Sequence, residues 1–211
     1  MNIELLFPTA IGIEDNTTDY KYDHQTLINL PYTTNEKFSS GHFEQTVDSY
    51  VLDNNVPNLR SWIQTNLNVY ASYALSTDQK LKITQSWCIK HNDVPQHVFP
   101  HSHPNSIISG AYYVAADDQS AKLKFHRTSV STYPSIQWQM DPNKSKDAPW
   151  NWDWQKIPVT SGRLVLFPSQ MMHSVEDELT NKDVRCVLSF NTWFEGSIGN
   201  ADRFTQLGAI Q

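Results

Sequence analysis

Three of the eight histidines in this 211-residue chain lie between residues 97 and 103. His101 and His103 are separated by one residue and precede an apolar run rich in β-branched and aromatic residues. In a strand, residues i and i+2 point to the same face, so both imidazoles would face one interior. Neutral imidazole is a good ligand for Fe, Zn, Cu and Ni. The pair therefore predicts a metal site, provided that a further ligand comes from elsewhere in the chain.

The best candidate for this further ligand is His173, in the segment 162-GRLVLFPSQMMHSVEDE-178. It follows an apolar strand and a turn, which would place it on a neighbouring strand near the histidine pair. The alternative is that HVFPHSHP is a solvated loop that happens to be rich in histidine. Because Pro100 separates His97 from the pair, we expect His97 behind the ligands or on the surface. We expect structural roles for the remaining histidines, which are His24, His42, His91 and His126.

A second chemical feature is Arg185, which opens the strand-like run RCVLSFNTWF. Burying an arginine in such an apolar strand is costly unless the side chain meets an anion. Its planar guanidinium suits a carboxylate. The alternative is an arginine at a sheet edge, in water, paired with one of the acidic residues before it: Glu176, Asp177 or Glu178.

The elements that must position these residues are mostly short strands. After residue 80 the chain is a series of β-branched or aromatic runs separated by turn residues, which is typical of a β-sandwich or barrel. Before them, apolar residues at i, i+3 and i+4 steps predict one helix from Pro57 to about Ala74, capped by Asn54 or Asn55. Residues 15–50 show no clear period. The sequence thus predicts a mainly β fold, with a double-stranded β-helix (jelly-roll) core and one N-terminal packing helix.

We expect residues 1–211 to form a single domain, with residues 129–155 as a long insertion or lid within it. This segment is polar but carries four tryptophans, and loops of this length are often functional. The run IELLFPTAIGIE predicts an edge strand because it contains Pro8, and this edge is a candidate homodimer contact.

Composition excludes several classes of partner. The net charge is -6 with no block of Lys or Arg, which argues against nucleic acid. No apolar run approaches the roughly 18 residues that span a membrane, and the N-terminus lacks the basic region of a signal peptide. Two cysteines, Cys88 and Cys186, lie in strand-like runs, and we interpret them as buried thiols in a reducing cytoplasm.

Taken together, the motifs resemble the iron(II)/2-oxoglutarate-dependent dioxygenases, in their prolyl-4-hydroxylase-like branch. Within it they resemble an oxygenase family of marine bacteria and phages, which would imply the host cytoplasm if the chain is phage-encoded. The segments that carry this resemblance are Leu6-Phe7-Pro8-Thr9, Trp87, 101-HSHPNSIISGAYY-113, 162-GRLVLFPSQMMH-173 and 185-RCVLSFN-191. The resemblance implies Fe(II), 2-oxoglutarate as co-substrate and O2. It also implies that decarboxylation to succinate and CO2 is coupled to hydroxylation of a small molecule or peptide, for example at a prolyl residue.

The resemblance also implies roles for individual residues. His101 and His173 resemble the two histidines of the family's metal site, and Arg185 resembles the arginine that holds the distal carboxylate of 2-oxoglutarate. Tyr113 stands where prolyl hydroxylases place a hydroxyl on that carboxylate, and Ser109 stands where a small side chain lines the co-substrate pocket. Further candidates for lining the pocket are Trp87, Asn191 and Trp193.

His103 departs from the usual pattern, because the wider superfamily has Asp or Glu at this position. His103 either completes a three-histidine site or stays unligated, with water or an anion in its place. Two other functions therefore remain open. One is a cupin-like three-histidine metalloenzyme that does not use 2-oxoglutarate, and the other is a non-catalytic jelly-roll binding module.

Overall fold

The computed structural model describes residues 8–18, 20–34, 43–76, 78–91, 98–117, 120, 122–127, 154–175, 185–199, 203 and 205–206. Its helices are α1 (Lys21–Ile28), α2 (Val51–Asn55) and α3 (Pro57–Leu75). Its strands are β1 (Gly12–Asp15), β2 (Tyr32–Thr34), β3 (Phe43–Thr46), β4 (Leu81–His91), β5 (Ile108–Ala115), β6 (Leu123–His126), β7 (Trp154–Ile157), β8 (Arg163–Pro168), β9 (His173–Val175), β10 (Arg185–Phe194), β11 (Ser197–Ile198) and β12 (Thr205–Gln206).

Two antiparallel sheets form the core of the fold. The major sheet has seven strands in the order β1-β8-β5-β10-β4-β3-β2, and the minor sheet has three in the order β7-β6-β9. Strands β11 and β12 pair with each other. The predicted mainly β architecture is therefore confirmed, and β1 lies at the edge of the major sheet as the sequence indicated.

Strand β5, which lies between β8 and β10 in the major sheet, is buried on both faces. Tyr112 and Val114 belong to the core cluster that includes the helices, whereas Ala111 and Tyr113 pack with residues of the minor sheet. This two-sided burial explains why ISGAYYVA reads as a continuous apolar run and not as an alternating one. Side chains of β5 therefore pack in two places, in the helix-facing core and in the interior between the two sheets.

The predicted helix is confirmed as α3. Its apolar stripe is buried against the major sheet and consists of Leu59, Ile63, Leu67, Tyr70 and Ala71. The predicted cap is wrong. The cap position is Val56, which makes no side-chain capping bond, and Asn54 and Asn55 instead donate to the carboxylate of Asp48 from within α2.

Residues 15–50 contain more regular structure than the sequence indicated. The described part of this region includes α1 and the strands β2 and β3. Leu27 is the one buried residue of α1, so this eight-residue helix gives no apolar period to detect. The packing helix α3 is therefore accompanied by two shorter helices.

Cys88 and Cys186 are free and buried, as predicted. Of the long segment 129–155, only Trp154 and Gln155 lie within the described residues, where they open β7, so its expected role as a lid stays a prediction. No helix in the described ranges is both long and apolar enough to cross a bilayer.

Gly110 lies against the ring of Phe190 where β5 pairs with β10. A Cβ at this position would overlap the ring of Phe190, which is fully buried. We expect Gly110→Ala to lower the free energy of unfolding by about 1–3 kcal/mol, as overpacking does elsewhere. Urea denaturation measures this directly. Phe190→Leu, which shortens the opposing side chain, should recover part of the loss in the double variant; strictly additive effects would contradict the overlap.

Candidate metal and co-substrate site

Three histidines converge at one end of the space between the two sheets. One ligand atom from each of His101, His103 and His173 lies within 4.8 Å of the others. The ring centroids are 5.3 Å apart for His101 and His103, 4.3 Å for His101 and His173, and 4.9 Å for His103 and His173. The structure thus brings together the three residues that the sequence singled out as metal ligands.

Backbone hydrogen bonds hold this convergence in place. The amide of His101 donates to the carbonyl of His173 and the amide of His173 donates to the carbonyl of His101, both at 2.9 Å. The amide of His103 donates to the carbonyl of Ser169 at 2.9 Å. The sequence predicted that the pair lies on a strand, and this is wrong: His101 forms only an isolated bridge with His173, and residues 102–107 form no strand. Asn105, with φ 56°, then turns the chain into β5, in a left-handed conformation that asparagine tolerates.

The ring hydrogen bonds of His101 and His173 fix which nitrogen is free. Nδ1 of His101 lies 2.8 Å from the carbonyl oxygen of Phe99, and Nδ1 of His173 lies 2.9 Å from that of Met171. A carbonyl oxygen only accepts, so each Nδ1 carries the hydrogen and each Nε2 keeps its lone pair. Such bonds orient metal-binding histidines and raise their basicity.

His103 is held differently, by side chains from other strands. Its Nδ1 lies 2.8 Å from Oδ1 of Asn191 and 2.9 Å from Oγ of Ser109. Trp87 packs nearby, with its ring centroid 6.0 Å from that of His103. Asn191 and Trp87 were expected to line the pocket, and the structure places both beside His103.

Burial favours the neutral form of His103 and His173. It lowers the pKa of His173 to about 3, assisted by the nearby His101 and opposed by the hydrogen bond to the Met171 carbonyl. Burial also lowers the pKa of His103, opposed by its hydrogen bond to Asn191. Neutral imidazole is the form that binds a metal ion, so these two side chains need not lose a proton to do so.

A buried cation lies further along the same interior. Arg185 is 3% exposed, and its guanidinium carbon lies 5.3 Å from the ring centroid of Tyr113. Within the described ranges, neither Nε of Arg185 nor the hydroxyl of Tyr113 has a hydrogen-bond partner. Burial lowers the pKa of Arg185 and raises that of Tyr113, while each group partly offsets the shift of the other.

This pair of groups fits an anion. A buried guanidinium is costly without a negative partner, and unpaired buried polar atoms call for one. The acidic residues 176–178, which the sequence offered as alternative partners, lie outside the described residues. Ala111 and Ser189, which both have small side chains, pair with each other across β5 and β10, between this pair and the histidines.

The remaining candidate residues are distributed as follows. Ser109 contacts His103, Asn191 and Ser169, so its hydroxyl is engaged. Trp193 packs on Phe194, with centroids 6.0 Å apart. Outside the cluster, His24 contacts Tyr112 and His126 contacts Ser174; the side chains of His42, His91 and His97 lie outside the described residues.

Sequence reasoning missed two residues next to the site, Ser106 and Ser169. Both are buried and hydrogen-bonded to each other at 2.7 Å. A serine within an apolar strand region was the one available signal, because buried hydroxyls require partners.

The donor set fits an iron ion. Three imidazoles with free Nε2 atoms suit a first-row transition metal, and no carboxylate belongs to the cluster in the part of the chain that is described. Nε of Arg185 and the hydroxyl of Tyr113, which lack hydrogen-bond partners in the described ranges, fit one carboxylate of a bound dicarboxylic acid in the same interior.

Comparison with known proteins agrees with this geometry. Residues 85–191 match a family model described as "Putative 2OG-Fe(II) oxygenase". This range covers His101, His103, His173 and Arg185. No curated protein sequence matches the chain.

Solved structures share the fold at low sequence identity. The carbocyclase SnoK from nogalamycin biosynthesis, a non-heme alpha ketoglutarate dependent enzyme, aligns with TM-score 0.61 and 12% identity over 96% of this chain and 84% of its own. A prolyl hydroxylase from Trichoplax adhaerens, in complex with a peptide fragment, aligns with TM-score 0.56 and 14% identity over 87% of this chain and 82% of its own. HygX from Streptomyces hygroscopicus, with nickel, 2-oxoglutarate and hygromycin B bound, aligns with TM-score 0.51 and 10% identity over 87% of this chain and 82% of its own. The predicted jelly-roll fold is thereby confirmed.

Proposed function

The chain belongs to the 2OG-Fe(II) oxygenase family, and from this premise we propose that it is a hydroxylase that couples decarboxylation of 2-oxoglutarate to oxidation of a C–H bond. The observation that carries the proposal is the pairing, in one interior, of a three-histidine cluster with a buried arginine whose Nε has no hydrogen-bond partner among the described residues. A metal site alone would not require a buried arginine, and a buried arginine alone would not require the three histidines.

We assign the metal to His101, His103 and His173. Their free Nε2 atoms supply three neutral nitrogen ligands, and their Nδ1 hydrogens are held by Phe99, Met171, Asn191 and Ser109. When bound, Fe(II) and 2-oxoglutarate together supply the oxidising power for hydroxylation by O2, with release of succinate and CO2.

We assign the distal carboxylate of 2-oxoglutarate to Arg185 and Tyr113. The guanidinium offers its fixed fork of donors, and the hydroxyl adds one more. Because both groups are buried, the carboxylate would be held away from water, where charge-assisted hydrogen bonds are strong. The same burial excludes water from the co-substrate.

The substrate is proposed to be a small molecule or a peptide. The solved relatives include an enzyme seen with an antibiotic and one seen with a peptide, and a prolyl residue is one candidate. The relatives also include an epimerase and a carbocyclase, so hydroxylation is the proposed outcome among several that such a site supports.

We further propose that residues 1–211 act as a single domain, with the segment 129–155 beside the substrate. We place the enzyme in a reducing cytoplasm, in line with the free thiols of Cys88 and Cys186, and keep a homodimer through the β1 edge as part of the proposal.

Anaerobic titration tests the cofactor pair. Addition of Fe(II) and then 2-oxoglutarate to the metal-free protein should produce a visible absorption band that neither addition produces alone. Admission of O2 with candidate substrates should then release succinate. Tight metal binding with no band and no 2-oxoglutarate binding would favour the cupin-like alternative, whereas failure to bind Fe(II), Mn(II) or Zn(II) would exclude both enzymes.

A further inference from the structure

A chain of buried hydroxyl groups leads away from His103. Oγ of Ser109 lies 2.9 Å from Nδ1 of His103 and 2.8 Å from Oγ of Ser169. Ser169 in turn donates to Oγ of Ser106 at 2.7 Å. The three serines are at most 2% exposed, so their hydrogen bonds are made within the protein and their hydrogens can be counted.

The far end of this serine chain is held by backbone groups. Oγ of Ser106 donates to the carbonyl of Ile108 at 3.1 Å and accepts from the amide of Thr192 at 3.1 Å. Thr192 reaches this position because the pairing of β10 with β4 shifts register between Asn191 and Thr192, as in a β-bulge. A backbone amide only donates and a carbonyl only accepts, so they define the direction of the serine chain.

The number of hydroxyl hydrogens then determines the direction of the hydrogen bond at the His103 end of the serine chain. A serine hydroxyl has one hydrogen. Ser106 gives its hydrogen to Ile108 and Ser169 gives its hydrogen to Ser106, so the hydrogen of Ser109 is shared between its two acceptors, Oγ of Ser169 at 2.8 Å and Oδ1 of Asn191 at 2.9 Å. Ser109 consequently has none left for His103. Oδ1 of Asn191, the other neighbour of Nδ1, is also an acceptor, 2.8 Å away.

We propose that Ser106, Ser169 and Ser109 are positioning residues that hold His103 in the tautomer with hydrogen on Nδ1 and leave its Nε2 free for the metal. His101 and His173 do not depend on a hydroxyl, because each Nδ1 lies next to a carbonyl two residues earlier that can only accept. Nδ1 of His103 lies next to Oδ1 of Asn191, which only accepts, and also next to the hydroxyl of Ser109, which can pair with either tautomer unless its own hydrogen is committed elsewhere. The inference deepens the proposed function and rests on it.

Ser169→Ala tests the proposal, because it removes one of the two acceptors for the hydrogen of Ser109 and leaves Oδ1 of Asn191. If the serine chain holds the tautomer, that hydrogen turns to Nδ1 of His103 and favours the tautomer with hydrogen on Nε2; if Asn191 alone holds it, the tautomer stays unchanged. In metal-free protein labelled with 15N-histidine, NMR should show His103 (identified by its loss in His103→Gln) with hydrogen on Nδ1 in the wild type and partly on Nε2 in the variant. Affinity for Zn(II) should fall roughly 10–100-fold, as for other residues that orient a metal ligand.

Ser106→Ala should act in the same direction, because Ser169 would then turn its hydrogen to Ser109; it serves as the second variant if Ser169→Ala does not fold. Ser169→Thr keeps the hydroxyl and should restore the tautomer. Ser86→Ala is the matched control, since Ser86 is fully buried and accepts from the amide of Leu52 on the helix side of the sheet. It should lower stability without changing the tautomer or the affinity.

Two results would overturn the inference: a Nδ1 hydrogen on His103 that persists in both alanine variants, or an equal loss of Zn(II) affinity in Ser169→Ala and Ser86→Ala. The proposed function fails separately, if the wild-type protein binds no metal. In that case the tautomer of His103 in the metal-free protein still decides whether the serine chain acts as described.

Discussion

Replacement of Arg185 by methionine is expected to weaken 2-oxoglutarate binding by roughly a hundredfold or more, as for loss of one partner of a buried charge pair. Methionine fills a similar volume but offers no donor to a carboxylate. The metal ligands are untouched, so Fe(II) should bind as in the wild type. Isothermal titration with each ligand, performed anaerobically, separates the two effects.

The stability of the same variant gives an independent measure. Arg185 is a buried charge without a carboxylate partner among the described residues, and replacing such a charge by an apolar side chain is often neutral or stabilising. The variant without ligand should therefore melt no lower than the wild type. In the wild type, 2-oxoglutarate should raise the melting temperature, and in Arg185→Met it should not.

Arg163→Met provides the control for this variant. Arg163 lies on β8 of the same sheet, but its guanidinium is paired with the carboxylate of Asp15, with Nε 2.7 Å from Oδ1. Its removal should leave 2-oxoglutarate binding unchanged. If Arg185→Met bound the co-substrate normally, the distal carboxylate would have to be held elsewhere, and the assignment of Arg185 would be wrong.

Loss of any one histidine of the cluster is expected to reduce metal affinity by more than the roughly 10–100-fold that residues behind the ligands typically contribute. His103→Ala and His173→Ala should therefore have similarly large effects, measured by competition with a metal-binding dye. The comparison matters because His103 occupies the position at which a carboxylate would be usual. Three neutral ligands leave the centre one unit more positive than two histidines and one carboxylate would.

His126→Ala is the matched control for the histidine variants. His126 lies on β6 next to the strand of His173, and its Nε2 is 2.8 Å from the hydroxyl of Ser174. The His126→Ala variant should bind metal as tightly as the wild type. A His103→Ala variant that binds metal as tightly as the wild type would show that water or an anion occupies the third position. The three-histidine assignment would then be lost, although His101 and His173 would keep their roles.

The residues of the candidate site could be singled out from the sequence because their types and local spacing carry information. Two histidines one residue apart, and an arginine at the start of an apolar strand, are recognisable without any knowledge of the fold. The stripe of α3 was equally clear, since five buried residues repeat at helical spacing. In each case the signal lies within a short stretch of chain.

The surroundings of His103 were not predictable in the same way. Asn191 and Ser169 are far from His103 in sequence and reach the site through strand pairing and through the register shift at the end of β10. A bulge leaves no periodic mark in the sequence. Likewise α1 was missed, because a short helix with one buried residue has no amphipathic pattern.

The reciprocal backbone bonds between His101 and His173 also bear on how the protein acquires its ion. Because these bonds join two distant segments through backbone groups alone, we expect them to order the ligands independently of the ion, so that binding involves little conformational cost. The metal would then stabilise the native state by mass action without being needed to fold it, unlike the ion of a zinc finger. Such a site can be stripped by a chelator and reloaded with another ion while the chain stays folded. Which metal it carries in a cell therefore follows from the supply of ions as well as from the ligands.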